Sequence, residues 1–171
     1  LLTLHVPATG DALAVSGDRL AALGPAALLR AEHPTARVRE WDGTVGAGRC
    51  AAEAVAVLEH AYHPDPREAD TLGTAPLTGT ALAALDLTAT RCGHSARRGV
   101  QRLLADGVTA LVGPFTRPEV RTAVRRSGLV VLTAPRDPEL VTGGRADFTV
   151  TGADGRCLAT VVAGRLLYRA R

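Results

Sequence analysis

The chain has 171 residues, enough for one sizeable domain or two small ones. Apolar residues make up 46% of it and aromatic residues only 3%, so a core must be built from Leu, Val and Ala, and there is little on which single-stranded bases could stack. A net charge of +3, with the basic residues spread among 17 acidic ones, points away from a nucleic-acid partner, and no apolar run nears the roughly 20 residues that span a bilayer, so no membrane partner is expected. The densest basic pairs, Arg97-Arg98 and Arg125-Arg126, fall on helix faces and read as solvated surface. Every basic position is arginine, and Lys, Asn, Ile and Met are absent. Codons for those four begin AA or AT, so a GC-rich genome is the simplest cause. Cys50, Cys92 and Cys157 are far apart, odd in number and form no CxxC pair. Reduced thiols in a cytoplasmic protein are therefore expected. The first residues carry no basic segment ahead of an apolar one and do not read as a signal peptide.

The first 48 residues read as short strands. Leu2 to Val6 and Ala12 to Ser16 are the first two, and Gly17-Asp18 turns the second into a third, Arg19 to Leu23. Gly24-Pro25 breaks that run, and Pro25 suits the start of a short helix, Ala26 to Ala31. Arg37 to Trp41 alternates as a strand, Asp42-Gly43 reads as a turn, and Thr44-Val45 begins the next strand. Ala51 to His60 has helical spacing, although Val55 to Leu58 would also suit a buried strand. Two prolines make His63 to Glu68 a loop, and Thr71 to Thr78 has no periodicity. Thr78 to Leu87 suits a helix with Thr78 as its cap, and Thr88 to Ser95 reads as a polar connector.

The centre carries the clearest pattern. Val100, Leu103 and Leu104 share one helical face in Arg97 to Ala105, and Gly107 sits where a helix-ending glycine belongs. Gly107 to Phe115 contains a buried strand. Pro118 to Arg126 repeats the helical pattern, and Leu129 to Leu132 is the next apolar run. Helix, strand, helix, strand is the signature of a parallel sheet with crossover helices. Beyond Pro135, Pro138 and Gly143-Gly144, strands return: Ala146 to Val150, Cys157 to Ala163 and Leu166 to Tyr168.

Both ends carry a family pattern. Ala14-Val15-Ser16-Gly17-Asp18-Arg19-Leu20 and the residues to Pro25 resemble the opening hairpin of the amidohydrolase superfamily, the imidazolonepropionase-like metal-dependent hydrolases. Trp41 to Gly48 is similar to the strand that leads from that family's β-sandwich into its barrel. Gly144-Arg145-Ala146-Asp147-Phe148-Thr149-Val150 resembles the strand that returns to the sandwich, and Val161 to Tyr168 its closing hairpin. The helix followed by Gly107-Val108-Thr109 resembles the second barrel strand. The resemblance implies an α/β fold. Residues 1–48 and 144–171 would form a small composite β-sandwich. Residues 49–143 would form a truncated α/β layer of about three parallel strands, where a full (β/α)8 barrel takes about 250 residues.

The departures bear on chemistry. Family members place a His-x-His metal pair on the strand after the turn, and many bridge two metals with a modified lysine. Here that stretch is Ala47-Gly48-Arg49-Cys50-Ala51-Ala52-Glu53, and the chain has no lysine. The remaining candidates are His60, His63 and His94. His60 and His63 lie three apart, and Cys92-Gly93-His94 could complete a four-ligand zinc set. The competing reading makes them polar loop histidines. Glu59, Asp65, Glu68 and Asp70 lie close in sequence and could pair with a histidine as acid and base, or simply be loop acids. Asp147 reads as a hydrogen-bonding residue at a strand end. The expectation is a degenerate amidohydrolase-like protein, a binding or structural module with no cofactor. The alternative is a small metal-dependent hydrolase of C–N bonds with a rebuilt site. A partial barrel leaves a sheet edge uncovered, so a homo-oligomer is expected.

Overall fold

Alternating apolar residues at the start of the chain produce the strands expected there. The structure, a computed structural model, describes residues 1–170. β1 (Leu2–Thr9) pairs antiparallel with β2 (Ala12–Ser16), and β2 pairs with β3 (Arg19–Gly24) through the Gly17-Asp18 turn. α1 (Ala26–Glu32) starts directly after Pro25. β4 (Arg37–Ala47) then runs parallel to β1. It continues through Asp42-Gly43, which is no turn. A side chain at Gly43 would bring a Cβ within 2.4 Å of the Thr151 carbonyl oxygen, so glycine is there for close approach of another strand. From the end of the chain come β8 (Phe148–Thr151), β9 (Cys157–Val162) and β10 (Arg165–Arg169).

These strands form one mixed seven-stranded sheet, ordered β10-β9-β8-β4-β1-β2-β3. The sequence pointed to a sandwich of two sheets; a single sheet takes strands from both ends of the chain instead. Leu13, Val15 and Leu20 on β2 and β3 share a core cluster with Phe148 and Val161 on β8 and β9. Strands that far apart in one sheet can share a core only if the sheet curls, and here it does so without closing into a barrel. Leu20 and Ala146 add backbone hydrogen bonds between the β2–β3 hairpin and the segment leading into β8, to Gly144 and Asp18 respectively.

The chain divides into two units. One holds Leu1–Arg49, Leu104–Thr109 and the chain from Asp137 onward; the other holds Cys50–Leu103 and Ala110–Arg136. A separate three-stranded parallel sheet, ordered β5-β6-β7, agrees with the expected layer of about three parallel strands: β5 (Arg49–Ala51), β6 (Val108–Val112) and β7 (Val130–Leu132). Ala54 to Glu59 is helix, α2, and not strand. A single 3-10 turn at Pro66–Glu68 leads into α3 (Ala69–Leu72), and α4 (Gly79–Ala83) follows. Thr78 makes no side-chain cap.

α5 (Ala89–Ala105) begins well before the predicted start, so the expected connector is its first two turns. The Thr88 hydroxyl accepts a hydrogen bond from the Arg91 amide at 3.2 Å, and the Thr88 carbonyl accepts one from Cys92. That capping starts the helix where no apolar period is visible. α6 (Pro118–Ser127) ends at Gly128, which adopts the left-handed conformation. Among the described residues no helix is long and apolar enough to cross a membrane.

Candidate functional site

In parallel α/β sheets, ligands bind beyond the carboxyl ends of the strands. In the second unit those ends lead into α2 after β5 and into the loop from Gly113 to Arg117 after β6. Glu59, the last residue of α2, is buried there. One carboxylate oxygen accepts from the amides of Thr116 and Arg117 at 2.6 and 2.7 Å, and the other from the Thr116 hydroxyl at 2.9 Å. Burial alone would raise the pKa of this acid, but the donors of Arg117 and Thr116 outweigh it and hold it below the usual carboxylate value. A carboxylate fixed as an anion with both oxygens engaged is a clamp on the start of α6. It is poorly suited to general-acid work, which needs a raised pKa.

His63 is also buried. Its amide donates to the Ser95 hydroxyl at 2.8 Å, and its Nε2 donates to the Val57 carbonyl at 2.9 Å. The proton therefore sits on Nε2, and Nδ1 is left buried without a hydrogen-bond partner. Burial is the main cause of its lowered pKa; the bond to Val57 opposes the shift, and Arg102 and Arg98 add to it. Gly99 makes room for the ring, since a Cβ there would lie 2.8 Å from Nε2. His60, at the end of α2, and His94, on α5, are exposed. Cys92 lies 3.7 Å from the Arg117 guanidinium.

The remaining acids hold a loop to a helix face. Arg91, Ser95 and Arg98 lie at helical spacing on α5 and reach one segment. Arg91 pairs with Glu68 at 2.8 Å, and Arg98 with Asp65 at 3.2 Å and with the His63 carbonyl at 2.8 Å. Tyr62 donates its hydroxyl to Glu68 at 2.7 Å, and both guanidiniums stack over its ring. The Asp65 amide and the Tyr62 hydroxyl, with Arg91, hold the Glu68 carboxyl down at about 2. Glu68 is thus a structural anion. Asp147 accepts from the Ala163 amide at 2.6 Å, the hydrogen-bonding role expected of it.

The resemblance implies a metal site, and the donors present here differ from it. The strand position that would offer His-x-His holds Arg49, Cys50 and Ala51. Glu59 and His63 have their coordinating atoms engaged or enclosed, and among the described residues no three His, Cys, Asp or Glu side chains gather closely enough to hold a metal ion.

In the first unit the sequence offered no candidate site, yet a cavity of about 510 Å³ opens there. Its charged and hydroxyl lining comes from Arg49, Asp106, Thr149, Thr151, Arg156 and Tyr168. Residues so far apart in the chain carry no motif that reading in order could detect.

No protein-family model matches the chain, and no curated protein matches it. Among solved structures it is similar to an adenosine deaminase from Xanthomonas campestris with bound zinc. The identity is 16% and the TM-score 0.49, over 77% of this chain and 32% of that one. It is also similar to A. niger ochratoxinase, at 16% identity and a TM-score of 0.45, over 81% of this chain and 30% of that one. The chain spans about a third of the length of either.

Proposed function

We propose that the chain is a degenerate amidohydrolase-like module that binds or supports and does not carry out the family's metal-dependent hydrolysis of C–N bonds. The observation that carries this is the engagement of Glu59. The buried carboxylate nearest the carboxyl ends of β5 and β6 has both oxygens occupied by Thr116 and Arg117. In sequence, Arg49-Cys50-Ala51 stands at the strand position where the resembled family carries histidines. The family pattern in the hairpins at both ends supports the ancestry. The same proposal includes self-association: β5 and β7 are both edge strands, and Val131 on β7 is exposed.

Elemental analysis of the protein after zinc loading and exhaustive dialysis tests the central claim. Substoichiometric zinc, unchanged by His60→Ala or His94→Ala, is the expected result. One equivalent of zinc, lost in those variants and in His63→Ala and accompanied by amide or imide hydrolysis, would restore the hydrolase alternative. Sedimentation velocity tests the assembly, and a monomer at high concentration would remove that part.

A further inference from the structure

The cavity in the first unit is bordered by two breaks in strand register. Along β8 and β9, Val150 faces Ala159 but Thr151 faces Cys157, so Leu158 is an extra residue. Along β9 and β10, Val161 faces Leu166 but Thr160 faces Tyr168, so Leu167 is extra. Each bulge moves the next side chain to the opposite face of the sheet. As a result Cys157 and Tyr168 join Thr149, Thr151 and Thr160 on one face. The Cys157 sulfur lies 3.3 Å from the Thr160 hydroxyl, which a regular strand would place on the other side. The bulges therefore bring Cys157 and Tyr168 into the lining of the cavity.

The charges in that lining are unequal. Arg49 and Arg156 face one acid, Asp106. Neither arginine makes an ion pair among the described residues; Arg49 gives one N–H to the Asp106 carbonyl at 3.3 Å, which leaves most of its five donors unused. The Tyr168 hydroxyl has no hydrogen-bond partner among the described residues either. The Cys157 thiol is directed to the Ala159 carbonyl at 3.4 Å. Two guanidiniums and a phenol in a cavity of about 510 Å³, within the usual 300–1,000 Å³ range for small-molecule sites, suit an oxyanion on a small organic body.

We propose that this cavity binds a small oxyanion, a phosphate or carboxylate, held between Arg49 and Arg156 with Tyr168 as a third donor. This gives the binding reading above a ligand class and rests on it. The two fail separately, because a stoichiometric metal would overturn the first and an absence of anion binding the second.

NMR titration of the full chain at constant ionic strength tests it, with inorganic phosphate, phenyl phosphate and benzoate as probes. Saturable shifts at the Gly107 and Gly155 amides are expected. Their order of affinity separates free phosphate, an organic phosphate and a carboxylate as the source, and saturation by any of the three supports the site. Arg156→Gln lies in an exposed turn and should weaken binding roughly tenfold or more, with Arg156→Lys weakening it less. Arg49→Gln should weaken binding similarly, while Arg165→Gln, exposed at the start of β10, should leave it unchanged. No saturation by any probe, or equal weakening by Arg165→Gln and Arg156→Gln, overturns the proposal.

Discussion

Acidification from pH 7 to pH 5 should destabilise the first unit by about 2 kcal/mol through His5 alone. The imidazole is buried, stacked on Trp41 with ring centroids 6.0 Å apart and edge-on to Phe148 at 4.7 Å. Trp41 Nε1 lies 3.2 Å from His5 Nδ1. Indole can only donate, so Nδ1 must be bare and the imidazole neutral. Protonating it would break that bond and place a cation in an apolar site close to Arg39. Burial first, and Arg39 second, accordingly lower the His5 pKa from 6.5 to about 4. The unfolded chain then binds a proton that the folded chain refuses, so stability falls with pH. It is complete above 6.5 and falls as the pH drops below that value, with the loss levelling off below about 4. At about 1.4 kcal/mol per tenfold change in proton affinity, the whole shift amounts to about 3 kcal/mol, a large part of the roughly 5–15 kcal/mol that holds a domain folded.

Trp41 is the single tryptophan, so urea unfolding followed by its fluorescence reports on this environment directly. His5→Gln keeps an acceptor for the indole and cannot titrate. His63, whose pKa is also lowered, remains in both proteins, so the difference between them isolates His5. The stability gap between wild type and His5→Gln should shift by about 2 kcal/mol between pH 7 and pH 5, against the wild type. A gap that stays constant across that range would refute the account.

Glu59→Ala should lower stability by about 3 kcal/mol in thermal melts, because two amides and a hydroxyl lose a charged acceptor, and Glu59→Gln should lower it less. The acid loss of this clamp belongs below pH 4.5, the ordinary value from which its pKa is lowered, so it follows that of His5 on acidification. Gly164→Ala combines a φ of +71° with a Cβ 2.0 Å from the Gly17 carbonyl oxygen; urea unfolding should show a loss of about 2–3 kcal/mol. Its neighbour Ala163 has a φ of +50° in the same two-residue turn, where Asn-Gly is preferred, so Ala163→Asn should raise stability by about 0.5–1 kcal/mol in the same assay.

The parts of the fold legible in the sequence were those with local causes. Gly17-Asp18 turns a hairpin, Pro25 starts a helix, and Val120, Ala123 and Val124 line the buried face of α6. Errors arose where a local signal competed with a distant contact. Asp42-Gly43 resembles a turn, but the glycine serves the approach of Thr151, more than a hundred positions later. The first two turns of α5 are too polar to show an apolar period, because Arg91, Ser95 and Arg98 face a loop and not a hydrophobic core. The histidines were visible as a group by number alone. His63 turned inward against Val57 while His60 and His94 remained exposed. The cavity was invisible because its lining comes from separate segments of the chain, and the two bulges that place Cys157 and Tyr168 leave no composition signal.

Glu59, Asp65 and Glu68 surround His60 and His63 in sequence, and each is now accounted for by the backbone and side chains it holds. Two opposite demands compete for such groups. A carboxylate that clamps a loop needs strong, permanent donors, which lower its pKa; one that exchanges protons or ligates a metal needs donors that can be withdrawn. Glu59 and Glu68 both lie on the first side, with lowered pKa values and short bonds to Thr116, Arg117, Tyr62 and Arg91. The two arginines of the cavity are the reverse case, two cations that share one lining acid, Asp106, and form no ion pair among the described residues. In the second unit Glu59, Asp65 and Glu68 are engaged in holding the chain in place, whereas Arg49 and Arg156 in the first unit make no ion pair among the described residues. Free donors at Arg49 and Arg156 suit ligand binding better than the engaged carboxylates around His60 and His63 do.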